Sequence, residues 1–185
     1  ASENPPTAEA DRPRVFTTSY PVDFLVRELA GDAVDLRLVL PPGGDPAHGS
    51  PAPETIVELQ DADLLIGHGA GYEAWTATAS LPSSKVVWTA EGLDLARTAG
   101  RTHSHGTEGE HSHGAVDPRT WRVPSLFAQQ AAAVQEALVQ GILGPVLPEL
   151  DDRRLDELED RLRALDDDLS EVLAGAVDRG QVFVA

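Results

Sequence analysis

The chain has 185 residues, 41% of them apolar and 5% aromatic, enough for one domain whose core is built mainly from Leu, Val and Ala. Its 31 acidic residues against 14 basic ones give a formal charge of −17, which argues against a nucleic-acid partner, because phosphate binding needs clustered Lys and Arg, and suits a cationic ligand. There is no Cys, so disulfides, thiolate metal sites and cysteine nucleophiles are excluded, and no run reaches the roughly 18 apolar residues of a membrane span.

Residues 1–13, ASENPPTAEADRP, are polar and Pro-rich without an apolar period and read as a disordered tether. Order is expected from the β-branched and aromatic run RVFTTSY, Arg14 to Tyr20. A helix follows in PVDFLVRELAG, with Pro21 at its start and Gly31 as its stop. VDLRLVL, Val34 to Leu40, alternates at period two and is strand-like. After the turn-rich PPGGDPAHGSPAP, ETIVELQ reads as a short helix and DADLLIG, Asp61 to Gly67, as a buried strand. GYEAWTATA is expected to be helical, and KVVWTA to be the fourth strand. Strands alternating with helices predict an α/β fold: a single doubly wound lobe, spanning 14–123, with a mostly parallel sheet of four or five strands covered on both faces.

The character changes after residue 123. PSLFAQQAAAVQEALVQ, Pro124 to Gln140, is an Ala-rich helix. Leu155, Leu158, Leu162, Leu165, Leu169, Val172 and Ala176 then repeat in alternating steps of three and four. With Asp151 and Asp152 at its start and Gly180 at its end, this segment reads as a long helix packed as a spine on the lobe, in preference to a coiled coil. Residues 124–180 thus form a helical segment, and QVFVA, residues 181–185, reads as the start of a strand.

All six histidines fall in connections that follow strands. His48 lies after the second strand, His68 directly after the third, and His103, His105, His111 and His113 in the loop after the fourth. In an open α/β sheet ligands bind beyond the carboxyl ends of the strands, so these imidazoles are expected along one rim. Imidazole suits zinc and other borderline metals. The tract RTHSHGTEGEHSHG, residues 101–114, repeats His-x-His and adds Glu108 and Glu110 as oxygen donors. It carries no apolar anchor, and ordering it costs about 1–2 kcal/mol per residue, so it predicts exchangeable capture rather than a fixed structural site. The bland alternatives are a solvated polar loop and, for His68, a hydrogen-bonded residue at the loop edge.

GHGAGYEAW, Gly67 to Trp75, has a competing reading as a dinucleotide-binding turn, with Glu91 at a suitable distance. The third glycine of that motif is replaced by Tyr72, and the turn follows the third strand rather than the first. No H-E-x-x-H, G-x-S-x-G or P-loop is present, and nothing specific favours an enzyme.

The order and spacing of TTSYPVDFLVRELAGDAVDLRLVLPPGGDP, SPAPETIVELQDADLLIGHGAGYEAW, the acidic His-rich loop and VDPRTW resemble the metal-binding solute-binding proteins of zinc and manganese ABC transporters. The resemblance runs from about Arg14 to the end of the chain. It implies an extracytoplasmic receptor, periplasmic or tethered as a lipoprotein, that delivers Zn2+, Mn2+ or another divalent metal to a membrane permease. It also implies two α/β lobes joined by a spine helix with the metal in the cleft between them. The family's first ligand is a His directly after Gly-x-x-Pro; here Pro46 is followed by Ala47, with His48 one place late. Its second is the His of Asp-Pro-His-x-Trp; here Asp117 and Pro118 are followed by Arg119, a permanent cation that cannot ligate metal. Its remaining ligands come from a second lobe beginning after a strand like QVFVA, and that lobe is expected to be absent. The metal candidates are therefore His48, His68, His103, His105, His111 and His113. The alternative is a protein-interaction module that keeps the family fold, with Arg119 pairing an acidic group. Without a second lobe, the apolar stripe of the spine helix is expected to be exposed and to drive self-association.

Overall fold

The structure is a computed structural model that describes residues 12–41, 43–95, 116–140 and 152–178. Among these residues the elements run in chain order as β1 (Arg14–Thr17), α1 (Tyr20–Ala30), β2 (Asp35–Leu38), α2 (Pro53–Gln60), β3 (Leu64–Gly67), β4 (Val86–Trp88), α3 (Pro124–Gln140) and α4 (Asp152–Asp178). Short 3-10 turns at Gly31–Ala33, Ala74–Ala77, Ser83–Lys85 and Thr120–Arg122 join them. The four strands form one sheet in the order β2-β1-β3-β4, and every pair is parallel. This is the expected doubly wound α/β lobe with a long C-terminal helix.

Strand alternation divides the core into two layers. Val15, Leu64 and Ile66 point to the face covered by α1, α3 and α4, where they meet Val22, Leu25, Val26, Ala131, Val134 and Leu138. Phe16 and Leu65 point to the other face and pack with Val39, Leu59, Ala62 and Trp75. Burying each such side chain contributes roughly 1.5–3 kcal/mol, so the α1/α3/α4 layer, with sixteen buried residues against six, carries most of the apolar stabilisation.

Local chemistry sets the element ends. Ser19 is extended before α1, Pro21 pre-sets its first turn, and Gly31 closes it with φ +54 while its N–H bonds the Arg27 carbonyl. Arg154 of α4 donates to the Leu29 carbonyl at 3.3 Å and lies against Gly31, placing a cation at the carbonyl end of α1. Arg161 adds a 2.6 Å ion pair to Glu28. β2, an outer strand of the sheet, presents Asp35 and Arg37 as a 3.1 Å pair, with Glu58 of α2 3.7 Å from Arg37.

Four expectations change. The run 14–20 is a strand only to Thr17; Tyr20 opens α1 and is exposed. Arg12 and Pro13, grouped with the tether, are already tied in: Arg12 donates to the Asp32 carbonyl and the Pro13 carbonyl accepts the Asp35 N–H. GYEAWTATA is not a helix but one 3-10 turn at Ala74–Ala77. Gly69, Ala70 and Gly71 hold φ of 84, 53 and 77°, a left-handed run that an α-helix cannot continue, and Trp75 leaves it to fill the second core layer. The heptad stripe of α4 is used only in part. Leu158 and Leu162 are buried against α1 and α3, whereas Leu165, Leu169, Val172 and Leu173 are exposed. The first eleven residues, the tract 101–114 and residues 181–185 lie outside the described residues.

Candidate metal-capture rim and its buried support

β2 lies on one side of β1 and β3 on the other, so the chain reverses its winding between β1 and β3. This is the switch point at which open α/β sheets bind ligands. The loops after β1 and β3 meet there. Glu73, almost fully buried, accepts from the His68 N–H at 2.7 Å, the Gly69 N–H at 3.0 Å and the Thr18 hydroxyl. The amides that a phosphate would require are therefore bonded to a carboxylate, and no α-helix follows to supply a dipole. The dinucleotide reading of Gly67 to Trp75 is overturned on that geometry.

His68 has no exposed surface. Its ring meets Tyr72 and Trp121 edge-on, with centroids 5.3 and 5.1 Å away, and those two rings also meet at 5.1 Å. The side-chain amide of Gln130, from α3, lies 3.2 Å from Nδ1. Burial pushes the His68 pKa below its usual value, against the opposing charge of Glu73 and the nearby Pro118 carbonyl. Pro118 is close enough to favour a proton on the ring, yet Nε2 completes no hydrogen bond among the described residues.

His48 is the opposite case. Its side chain is 85% exposed, and Nδ1 lies 2.9 Å from Asp45 Oδ2. Asp45 also accepts the Ala47 N–H at 2.9 Å, closing an Asx-type turn, and the bond from His48 holds its carboxyl below the ordinary carboxylate range. Arg119 forks onto Asp117, with Nε 2.7 Å from Oδ1 and a terminal nitrogen 3.0 Å from Oδ2. The fork lowers the Asp117 pKa and raises that of Arg119. The acidic group paired by Arg119 is thus its own neighbour two residues back. The Tyr72 hydroxyl, raised in pKa first by burial, also feels the negative charges of Asp45 and Glu73 and, in the opposite sense, Arg119. Asp45, Tyr72 and Arg119 therefore gather at one rim, with His48 held to it by Asp45.

A crevice of about 570 Å³ opens beside the rim, lined by Thr18, Ser19, Asp23, Arg27, Leu40 and Pro46. A second, of about 530 Å³, lies on the β4 side between Gly69, Glu73, Trp88 and Glu91. Among the described residues, no three His, Asp or Glu side chains are arranged to hold a metal ion. His48 and His68 both follow strands at the same sheet edge, but the structure places one in solvent and the other in the core. His103, His105, His111 and His113 lie outside the described residues. Sequence reasoning missed Thr18, Glu73, Thr89, Thr120 and Gln130; only the acidic residue inside a Gly-rich turn at Glu73 offered a signal.

Comparison with known proteins agrees with this architecture. The chain is 28% identical over 178 residues to the iron-binding protein YfeA of Yersinia pestis, covering 94% of this chain and 53% of that protein. It is 28% identical over 147 residues to the high-affinity zinc uptake system protein ZnuA of Bacillus subtilis, covering 72% of this chain and 43% of that one. The chain thus spans about half the length of these curated relatives. Among solved structures, the metal-dependent lipoprotein YcdH of Bacillus subtilis superposes with a TM-score of 0.67 at 24% identity, over 84% of this chain and 54% of that chain. The family model described as ZnuA, zinc-uptake complex component A periplasmic, matches residues 15–185, from β1 through α4 to the last residue, and the chain belongs to that family.

Proposed function

We propose that this chain is the capturing lobe of an extracytoplasmic receptor for a divalent metal, periplasmic or anchored as a lipoprotein, that serves an ABC permease. One observation carries the reading: the family match covers the sheet, the rim and α4 together. Zinc is the leading substrate, because imidazole is the dominant donor and sulfur is absent. The proposed donors are His48, backed by Asp45, and His103, His105, His111 and His113, which follow β4 in sequence. His68 is left out of the donor set, since its ring is buried with Nδ1 engaged. The exposed residues Leu165, Leu169, Val172 and Leu173 support self-association through α4. A concentration-independent monomer in light scattering would count against that part.

A second reading, a protein-interaction module on the same fold, is favoured by one observation. Arg119 and Asp117 form a charged pair where the resemblance places a metal ligand. Calorimetry with zinc on the intact chain and on one lacking residues 103–113 decides between them when joined to native mass spectrometry. Zinc uptake by the intact chain that is lost with the loop supports capture. Equal uptake by both chains removes the loop from the mechanism, and a retained protein partner without metal supports the second reading. Zinc uptake is expected to weaken as pH falls through about 6.5, because protonated imidazole has no lone pair for the metal.

A further inference from the structure

Gln130 lies at the centre of a closed polar network in the core. The Thr120 hydroxyl donates to its Oε1, and its Nε2 donates to Thr89 Oγ1 at 2.9 Å and to His68 Nδ1 at 3.2 Å. The Thr89 hydroxyl hydrogen is directed in turn at the Gly67 carbonyl, 3.1 Å away. Gln130, Thr89, Thr120 and His68 are all at most 2% exposed, so water does not substitute for any of these partners. This orientation satisfies four hydrogen bonds. Turning the amide over would place Oε1 toward Thr89 and His68 and leave one amide hydrogen without an acceptor. It would also turn the Thr120 hydroxyl into an acceptor with no target for its own hydrogen.

From this network we infer that Gln130 fixes His68 as the neutral Nε2–H tautomer, so that His68 is a buried acceptor for the Gln130 amide, packed against Trp121 of the following turn, and is not a metal ligand. Binding a metal through Nε2 requires the proton to move to Nδ1, which the Gln130 amide occupies as a donor. Trp121 meets the ring edge-on, and Thr120 anchors the same turn to Gln130. His68 thus holds the end of β3, the turn carrying Arg119 and the middle of α3 in one arrangement. The inference depends on the buried network alone and stands whether or not the rim captures zinc.

Long-range nitrogen–proton NMR of the imidazoles tests it, with His68→Asn identifying the resonances. The wild type is expected to show a pyridine-type Nδ1 and a pyrrole-type Nε2 for His68, unmoved when zinc chloride is added, while His48 shifts. Gln130→Glu replaces the donor by an acceptor and is expected to convert Nδ1 to the pyrrole type. Thr89→Val removes the group that orients the amide and is expected to yield a mixture of tautomers. An Nδ1–H tautomer in the wild type, or a zinc-dependent shift of His68 Nε2, overturns the inference. If Gln130→Glu does not fold, the wild-type spectrum and Thr89→Val decide it alone.

Discussion

His68 and His48 follow strands at the same sheet edge and differ in almost everything that matters to a metal. His68 is enclosed by Tyr72, Trp121 and Gln130, with its pKa lowered by burial. His48 stands in solvent with one carboxylate for company. A buried imidazole with a donor on one nitrogen is a piece of architecture; an exposed imidazole beside a carboxylate is available to an ion. Position relative to a strand does not distinguish the two. What distinguishes them is what remote parts of the chain bring alongside: α3 reaches His68, and among the described residues nothing comparable covers His48.

The comparison breaks if substitutions around His68 alter zinc uptake, or if substitutions around His48 alter folding. The largest expected effect is from Gly67→Ala, one residue before His68. A Cβ there would meet the Trp88 ring at 2.1 Å, and the overpacking is expected to cost about 1–3 kcal/mol or more in denaturant unfolding. Gln130→Leu strips Thr89, Thr120 and His68 of a shared partner. Leaving such buried groups unsatisfied costs about 1–3 kcal/mol, again without loss of zinc in calorimetry.

A pH titration of stability sharpens the contrast. Because the folded pKa of His68 is depressed, the unfolded chain binds the extra proton first as pH falls below the ordinary 6.5. Unfolding free energy is therefore expected to decline from about pH 6.5 downward, by at most about 1.4 kcal/mol per pH unit for this one group, until the folded pKa is passed. The difference between wild type and His68→Asn isolates that contribution; parallel curves would show that the ring is not held neutral by burial. The smallest effect on folding is expected from His48→Ala, whose side chain is largely exposed. Its melting curve should overlay the wild type while its zinc uptake falls.

Much of the architecture was legible in the sequence because it rests on local signals. Period-two runs, Pro21 at a helix start and Gly31 at its end each act over a few residues, and the alternation of strands and helices then leaves few topologies. The residues around His68 were not legible for the converse reason. Thr18, Glu73, Thr89, Thr120 and Gln130 are spread over more than a hundred positions, and each is an ordinary polar residue until the sheet closes. The expected helix after Tyr72 failed in a similar way, since its composition allowed one but the left-handed run at Gly69–Gly71 and the pull of Trp75 into the second core layer did not. The stripe of α4 reads as continuous in sequence, while the lobe offers a surface to Leu158 and Leu162 and leaves Leu165 and Leu169 uncovered.

The charged pairing on β2 has a consequence for edge-to-edge aggregation. An outer strand with free amides is a template for accretion, and a flat apolar one would recruit any extended segment that passed. Asp35 and Arg37, braced by Glu58, make an incoming strand desolvate fixed ions before it can zip on. These gatekeepers, on a strand only four residues long, disfavour open-ended edge-to-edge stacking.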